Sequence, residues 1–332
     1  MSFWPTFFGA LSPAGPRARL SVLIFHRVLP QPDPLAPGTV DAAQFDRICS
    51  WLARWFNVLP LEQAVHDLKA GRLTARAAAI TFDDGYADNL EQAVPILQRH
   101  GLCATFFIAT GFLDGGRMWN DTLTEAVRLT KRSSLGLSGL GLPLADELPV
   151  SDLQGRREAL GQLIGAVKYL PPAHRQAVVD EVAERAGAAL PRDLMLRSDQ
   201  VLTMRRAGMQ IGAHTRQHPI LAKLPDDEAL AELRGSRDDL AALLGEPVRV
   251  LAYPNGKPGA DYGPRTVVLA RDAGFEVAVS TAWGAADIGV DPMQVPRFTP
   301  WDRTAFRYGL RLVCNLGYRA ARPSLHSSSS CG

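Results

Sequence analysis

Ile80-Thr81-Phe82-Asp83-Asp84-Gly85-Tyr86 sets the terms for the whole chain. The apolar run Ala77-Ala78-Ala79-Ile80 leads into two consecutive carboxylates and a glycine, the pattern of a buried strand that ends in a tight loop. Consecutive residues leaving a strand point to opposite sides, so Asp83 and Asp84 need not share one task. One can hold a metal while the other handles a proton. A second apolar run, Met209-Gln210-Ile211-Gly212-Ala213, passes straight into His214-Thr215-Arg216-Gln217-His218. Two imidazoles and one carboxylate make a three-ligand set that suits Zn2+ and leaves a fourth position for water. A His-x-x-x-His spacing taken alone also arises by chance or from two unrelated loop histidines. What joins the two motifs is that each directly follows a strand-like run, where open α/β folds and barrels place their chemistry.

The chain has 332 residues, 46% hydrophobic and 21% charged, which suits one large domain or two small ones. A net charge of +2 argues against a nucleic-acid partner. Cys49, Cys103, Cys314 and Cys331 show no paired spacing, so buried free thiols are expected rather than a disulfide frame. Elements alternate: a strand at Leu20–Phe25, a helix over Asp41–Phe56, one helix over Ala87–Arg99, a strand at Ala104–Ala109, a helix from Ser198 as N-cap to Ala207, a helix over Pro225–Leu244, and strands at Val248–Tyr253 and Glu276–Ser280. Such alternation predicts an α/β fold with a parallel sheet or barrel. Between about 115 and 200 the rhythm changes to helical patterns over Leu153–Tyr169 and His174–Ala186, read as a helical insertion.

Thr81-Phe82-Asp83-Asp84-Gly85 together with His214-Thr215-x-x-His218 resembles the polysaccharide deacetylases of carbohydrate esterase family four, the NodB-homology domain. The resemblance implies a distorted (β/α) barrel over 20–302, with 1–19 as an extension. By position it makes Asp84, His214 and His218 the ligands of Zn2+ or another divalent ion, and Asp83 the general base. Phe25-His26 is similar to an N-terminal motif of the poly-N-acetylglucosamine deacetylases, in which the order is permuted, so His26 is the candidate general acid. The family's usual Leu-x-His is missing after Val295-Pro296-Arg297-Phe298, and Leu325-His326 lies in a serine-rich stretch, 323–332, expected to be a disordered tail. Where the family has Arg-x-Pro-Tyr, this chain has Leu251-Ala252-Tyr253-Pro254 and no arginine. The loop Tyr253, Pro254, Asn255 is then expected to line the substrate groove, with a backbone N–H near Tyr253 facing the oxyanion.

Arg297 is a substitute for the missing arginine: a guanidinium can hold Asp83 in a bidentate fork, the competing account being a surface ion pair. Trp283 falls where the family places an aromatic beside the acetyl pocket, and an ordinary core tryptophan reads equally well. Trp119 and Asp121 either wall the substrate cleft or are a buried ring beside a helix cap at Asn120 or Asp121. Arg303, Arg307 and Arg311 recur beside Phe306, Leu310 and Val313, the pattern of a basic amphipathic helix over 303–322. Such a helix usually packs on its own domain and less often lies on anionic lipid.

The N-terminus Met1-Ser2-Phe3-Trp4-Pro5-Thr6-Phe7-Phe8 is apolar, yet no Lys or Arg precedes it and Pro5 interrupts it. No apolar run approaches about 18 residues either, so the expectation is a cytoplasmic protein, with peripheral contact at the inner membrane face compatible with its two ends. The expected activity is metal-assisted release of acetate from an N-acetylated amino sugar in a polysaccharide, oligosaccharide or lipid-linked glycan. Two other readings stay open, an amidohydrolase acting on a small N-acyl metabolite and an inactive carbohydrate-binding protein on the same fold. Neither the sugar nor the oligomeric state is legible.

Overall fold

The run Ala77–Phe82 is a strand buried along its whole length, as an apolar run without alternation requires when both faces of a sheet are covered. The structure, a computed structural model, describes residues 3–299 and 302–318; the expected tail, Leu325-His326 and Cys331 lie outside the described residues. Two compact units are present, a barrel unit within 1–31, 40–113 and 196–332, and a helical unit of 32–39 and 114–195.

In chain order the strands are β1 (Leu20–Phe25), β2 (Val28–Leu29), β3 (Val40–Asp41), β4 (Asn57–Val58), β5 (Ala77–Phe82), β6 (Thr105–Ile108), β7 (Ser134–Gly136), β8 (Glu147–Pro149), β9 (Gln210–Ala213), β10 (Val250–Ala252) and β11 (Val277–Val279). The helices are α1 (Trp4–Leu11), α2 (Ala42–Trp55), α3 (Leu61–Lys69), α4 (Val94–Arg99), α5 (Trp119–Leu129), α6 (Leu153–Val167), α7 (Pro172–Ala186), α8 (Ser198–Arg206), α9 (Asp226–Leu244), α10 (Pro264–Asp272) and α11 (Ala305–Gly317).

The main sheet has the order β1-β5-β6-β9-β10-β11, with β4 also pairing with β5, and every pairing in it is parallel. The segment Val295–Phe298 joins its two edges. Ser280 N donates to Val295 O (2.9 Å) on the β11 side, while Phe298 N donates to Val22 O (2.7 Å) and Ile24 N to Phe298 O (3.0 Å) on the β1 side. Hence the sheet curls into a barrel whose strands all end on one side.

The two faces of the sheet hold different cores. Val22, Ala79, Phe107, Val250, Val279 and Val295 pack together with Leu61, Val65 and Leu68 of α3. Leu23, Ile80, Phe82, Phe106, Ile211 and Leu251 pack instead under the surrounding helices. Phe82 stacks on Phe106 with ring centres 4.7 Å apart and meets Phe45 of α2 edge-on; truncating such a ring to Ala costs about 3–5 kcal/mol. Gly212 lets the Phe107 ring lie against β9, since a Cβ there would meet that ring at 2.6 Å.

Local departures from the sequence reading have physical causes. Ala87–Arg99 is not one regular helix: a π-helical turn, Asn89–Ala93, precedes α4. Pro95 has no N–H to return to the preceding turn, so the α-helical pattern cannot run through it. Met118, not Asn120 or Asp121, is the N-cap of α5, which places both polar residues inside the first turn. Ser198 is already helical, and Gln200 reaches back to the Arg197 N–H (2.9 Å). On α11 the buried residues are Tyr308, Gly309, Leu312, Asn315 and Leu316, whereas Phe306 and Leu310 face outward. Of the three described cysteines Cys49 is buried, Cys103 is partly buried and Cys314 is exposed, all as free thiols.

The helical unit has a core of its own, in which Leu123 and Val127 of α5, Leu163 of α6, Val179 and Val182 of α7 and Leu148 of the antiparallel β7/β8 pair meet. Arg128 holds both oxygens of Asp33 (3.0 and 2.6 Å), which ties the 32–39 segment to α5.

Candidate active site

Four loops meet at the C-terminal side of the strands, those after β1, β5, β9 and β10. Six described residues other than glycine have positive φ, and four of them are here: Asp84 (φ 79), Thr215 (φ 62), His218 (φ 51) and Asn255 (φ 58). Each such backbone costs about 1–3 kcal/mol and persists where the surroundings impose it, typically at a site.

Asp83 follows β5 and points to the same side as Thr81, two residues earlier. Its N–H donates to Phe25 O (3.0 Å), which fixes the loop against the end of β1. Its carboxylate lies in the fork of Arg297, Nη1 donating to Oδ1 (2.7 Å) and Nη2 to Oδ2 (2.8 Å). Arg297 also donates from Nη1 to Thr81 Oγ1 (3.2 Å) and from Nε to Ser280 O (2.9 Å). Both partners are buried, Arg297 at 2% and Asp83 at 3% exposure, so the pair is not a surface one. Burial opposes the charge on Asp83, but the adjacent guanidinium outweighs it and holds the carboxyl below the usual range.

Asp84, its sequence neighbour, turns to a different set of partners. Its Oδ1 lies 3.4 Å from His214 Nε2 and 3.5 Å from His218 Nε2, and one donor atom from each residue falls within 4.8 Å of the others. These spacings suit a tetrahedral cation with bonds of about 2.1 Å, whose ligands stand about 3.4 Å apart. Tautomer and charge fit as well. His214 Nδ1 is 2.7 Å from Ala252 O; a carbonyl only accepts, so Nδ1 carries the proton and Nε2 offers its lone pair. Burial and the neighbouring His214 charge push His218 down to about 4, leaving it neutral near pH 7. For His214 burial acts downward, and the carboxylates of Asp84 and Asp83 outweigh it and raise the pKa. Burial likewise disfavours the charge on Asp84, and the two imidazoles overcome it and keep the carboxyl well below its usual range. Among the described residues this is the one cluster of three such donors.

Sequence reasoning missed the groups that hold these loops. Glu232 of α9 accepts from the N–H groups of Arg216 (2.8 Å) and Gln217 (2.9 Å), between the two histidines. Asp239 accepts from Arg216 Nε and Nη2 (2.8 and 2.6 Å) and from Thr110 Oγ1 (2.8 Å). On the other side, Asp88 accepts from Arg27 Nε (2.7 Å) and Val28 N (3.1 Å), and Asn89 Nδ2 donates to His26 O (2.9 Å). The His26 side chain itself is exposed, and its charge when protonated bears on Asp83, Asp84 and His218. The signal available in the sequence was local: an Asp-Asn pair four and five residues beyond Asp84, and acids on the one helix that follows the histidine loop.

Other expected contacts are corrected or relocated. Tyr253 N–H already donates to Val279 O (3.2 Å), and its ring is buried at 1% exposure, stacked on Tyr262 at 4.2 Å. Strand pairing has therefore taken the N–H of Tyr253 itself, and its buried ring is withdrawn from the groove. Pro254 is buried beside it, and Asn255 is half-buried, its carbonyl accepting from Thr281 Oγ1 (3.0 Å). Trp283 is 39% exposed and lies against Tyr318 with ring centres 4.8 Å apart, so it is not an ordinary core residue. Trp119 and Asp121 belong to the helical unit, where Arg175 sits 5.1 Å from the Trp119 ring centre and Asp121 is buried.

A barrel with an Asp/His/His triangle beside an arginine-held aspartate is an arrangement suited to a hydrolase, and its three donors could hold a cation. Comparison with known proteins agrees: the family profile described as polysaccharide deacetylase matches residues 70–132 and 172–278, just over half of the chain. The chain belongs to the polysaccharide deacetylase family and is a deacetylase-type hydrolase. It is 20% identical to YxkH of Bacillus subtilis over 290 residues, covering 85% of this chain and 72% of that protein. In fold it is similar to the Streptococcus pyogenes deacetylase PplD, solved in complex with acetate (TM-score 0.60, 18% identity, 90% of this chain and 98% of PplD). It is also similar to IcaB from Ammonifex degensii (TM-score 0.55, 18% identity, 92% of this chain and 99% of IcaB).

Proposed function

We propose that this protein removes N-acetyl groups from an N-acetylated amino sugar of a glycan, with Asp84, His214 and His218 holding a divalent cation such as Zn2+. The observation that carries the reading is the division of labour between two adjacent carboxylates: Asp84 faces two imidazoles, while Asp83 is held in a buried guanidinium fork one residue away.

A divalent cation at this triangle supplies Lewis-acid polarisation of the acetyl carbonyl and brings a water's pKa down toward about 7. Asp83 accepts the proton of the attacking water. Arg297 cannot take that proton back and keeps both carboxylate oxygens in one plane, which fixes the direction from which the proton arrives. His26 delivers a proton to the departing sugar nitrogen, because an amine anion is too poor a leaving group to depart unprotonated. Its exposed side chain leaves room for a sugar, while Asn89 holds its carbonyl and Asp88 holds Arg27 and the Val28 N–H just beyond it. Asn255, in a left-handed turn at the end of β10, lines the same side of the barrel.

The test is acetate release from N-acetylglucosamine monomers and oligomers by purified protein of known metal content. Release from oligomers, abolished by a chelator and restored by a divalent ion, supports the proposal. Release from monomers alone makes the protein a small-metabolite amidohydrolase, and glycan binding with no release at any metal loading makes it a binding protein.

A further inference from the structure

Helices α1 and α11 of the barrel unit pack against each other and leave an apolar face uncovered. Their inward sides are occupied, by Trp4 and Phe8 on one and Tyr308, Leu312 and Leu316 on the other. The Trp4 ring lies 6.1 Å from Phe306, and a Cβ on Gly309 would meet its indole at 2.5 Å, so the helices fit closely. Yet Phe3, Phe7 and Leu11, spaced by four, are exposed on α1 and its N-cap, and Phe306 and Leu310 are exposed on α11 at 63% and 50%. Fold stability does not explain five large apolar side chains facing water on two adjoining helices.

The charges carried by the two helices themselves have one sign. α1 contains no charged residue, and α11 contains Arg307 and Arg311 and no acid, with Arg303 exposed just ahead of it. Asp302, just ahead of α11, is paired with Arg311, and Asp287 lines a pocket with Leu11 beside Arg17 and Arg19. Phenylalanine and leucine on one face with arginine at its margin is the composition of a helix that lies in the headgroup layer, apolar side chains at the acyl boundary and cations among the phosphates.

We propose that the α1/α11 face docks on an anionic lipid surface. A second copy of this chain is the weaker occupant, because a two-fold pairing would bring the arginines of both copies together with no carboxylate on either helix to answer them. This inference does not depend on the proposed chemistry of the strand-end site. No helix among the described residues is long and apolar enough to cross a membrane, so the contact is peripheral.

The experiment is co-sedimentation of the full chain with phosphatidylcholine vesicles, with and without phosphatidylglycerol at about three lipids in ten. The protein should pellet with the anionic vesicles, less with the neutral ones, and less again as salt is raised. Phe7→Ser with Phe306→Ser should lower partitioning at least about ten-fold on both, and Arg307→Glu should weaken binding to the anionic vesicles alone. Circular dichroism and acetate release from a soluble substrate should match the unaltered protein. If the double variant does not fold, Leu310→Ser, a smaller change at an exposed position, carries the apolar arm. No pelleting with anionic vesicles, or pelleting that none of these substitutions alters, overturns the proposal. So does self-association of the unaltered protein that the same substitutions abolish, which would give the face to a second copy.

Discussion

The imidazole triangle and the guanidinium fork begin at adjacent residues and are built in opposite ways. Asp84, His214 and His218 sit on loops, two of the three in left-handed backbone, and their geometry depends on carboxylates of α9 behind them. Asp83 and Arg297 stand inside the barrel, both buried, on segments locked by strand hydrogen bonds, and are joined by two short bonds across 214 residues of chain. The first region offers three donors to the proposed cation; the second carries a cation of its own, the Arg297 guanidinium. A buried carboxylate can thus be kept ionised by neighbouring imidazoles or by a guanidinium, and this chain places one of each in consecutive positions.

Four substitutions break or sharpen that contrast. His214→Ala should remove both cation and turnover, lowering acetate release by about 10⁴-fold or more as direct metal assistance is lost, with metal content read by elemental analysis. Asp83→Asn should lower turnover by about 10²–10⁴-fold while the cation stays. Loss of both together would show that the two regions are not separable. Arg297→Met should shift the pH profile, because burial, no longer opposed by the guanidinium, raises the Asp83 carboxyl; the acidic limb of kcat/KM therefore moves to higher pH. It should also destabilise the fold by about 3–5 kcal/mol near neutrality, measured by urea unfolding. The sign of its pH dependence follows from linkage. In the unaltered protein Asp83 titrates below its unfolded value, so its contribution is present above about pH 3.9 and lost as pH falls through the folded value. The deficit of the variant should accordingly shrink in acid. Glu232→Gln, the mildest, should weaken cation affinity by about ten-fold in a chelator competition, with kcat recovered at saturating metal.

Much of this was legible because strand-end motifs are local. Asp83-Asp84-Gly85 and His214-x-x-x-His218 each announce a buried strand and its loop within a dozen residues, and the alternation of elements announces a parallel sheet or barrel, between which the family resemblance chooses the barrel. The contacts that escaped are those made by groups with two uses. Tyr253 reads as a residue at a loop, but its N–H belongs to the β10/β11 ladder, and nothing in a single sequence says which end of a three-residue strand still pairs. Spacing by four places Phe306 and Leu310 together but not on which side, because Tyr308, Leu312 and Leu316 make an equally good stripe. Only the partners of α11 decide between them. Asp88, Asn89 and Glu232 are ordinary polar residues until the loops they brace are seen to converge.

The late position of Arg297 has a consequence for the protein during synthesis. The fork that clamps Asp83 and the segment that joins the barrel's first and last strands are the same four residues, Val295–Phe298. On the proposed roles, a nascent chain exposes its two aspartates long before either could act, and hydrolytic competence would arrive together with closure of the barrel. A chain ending before Val295 is therefore expected to release no acetate rather than a fraction of the full rate.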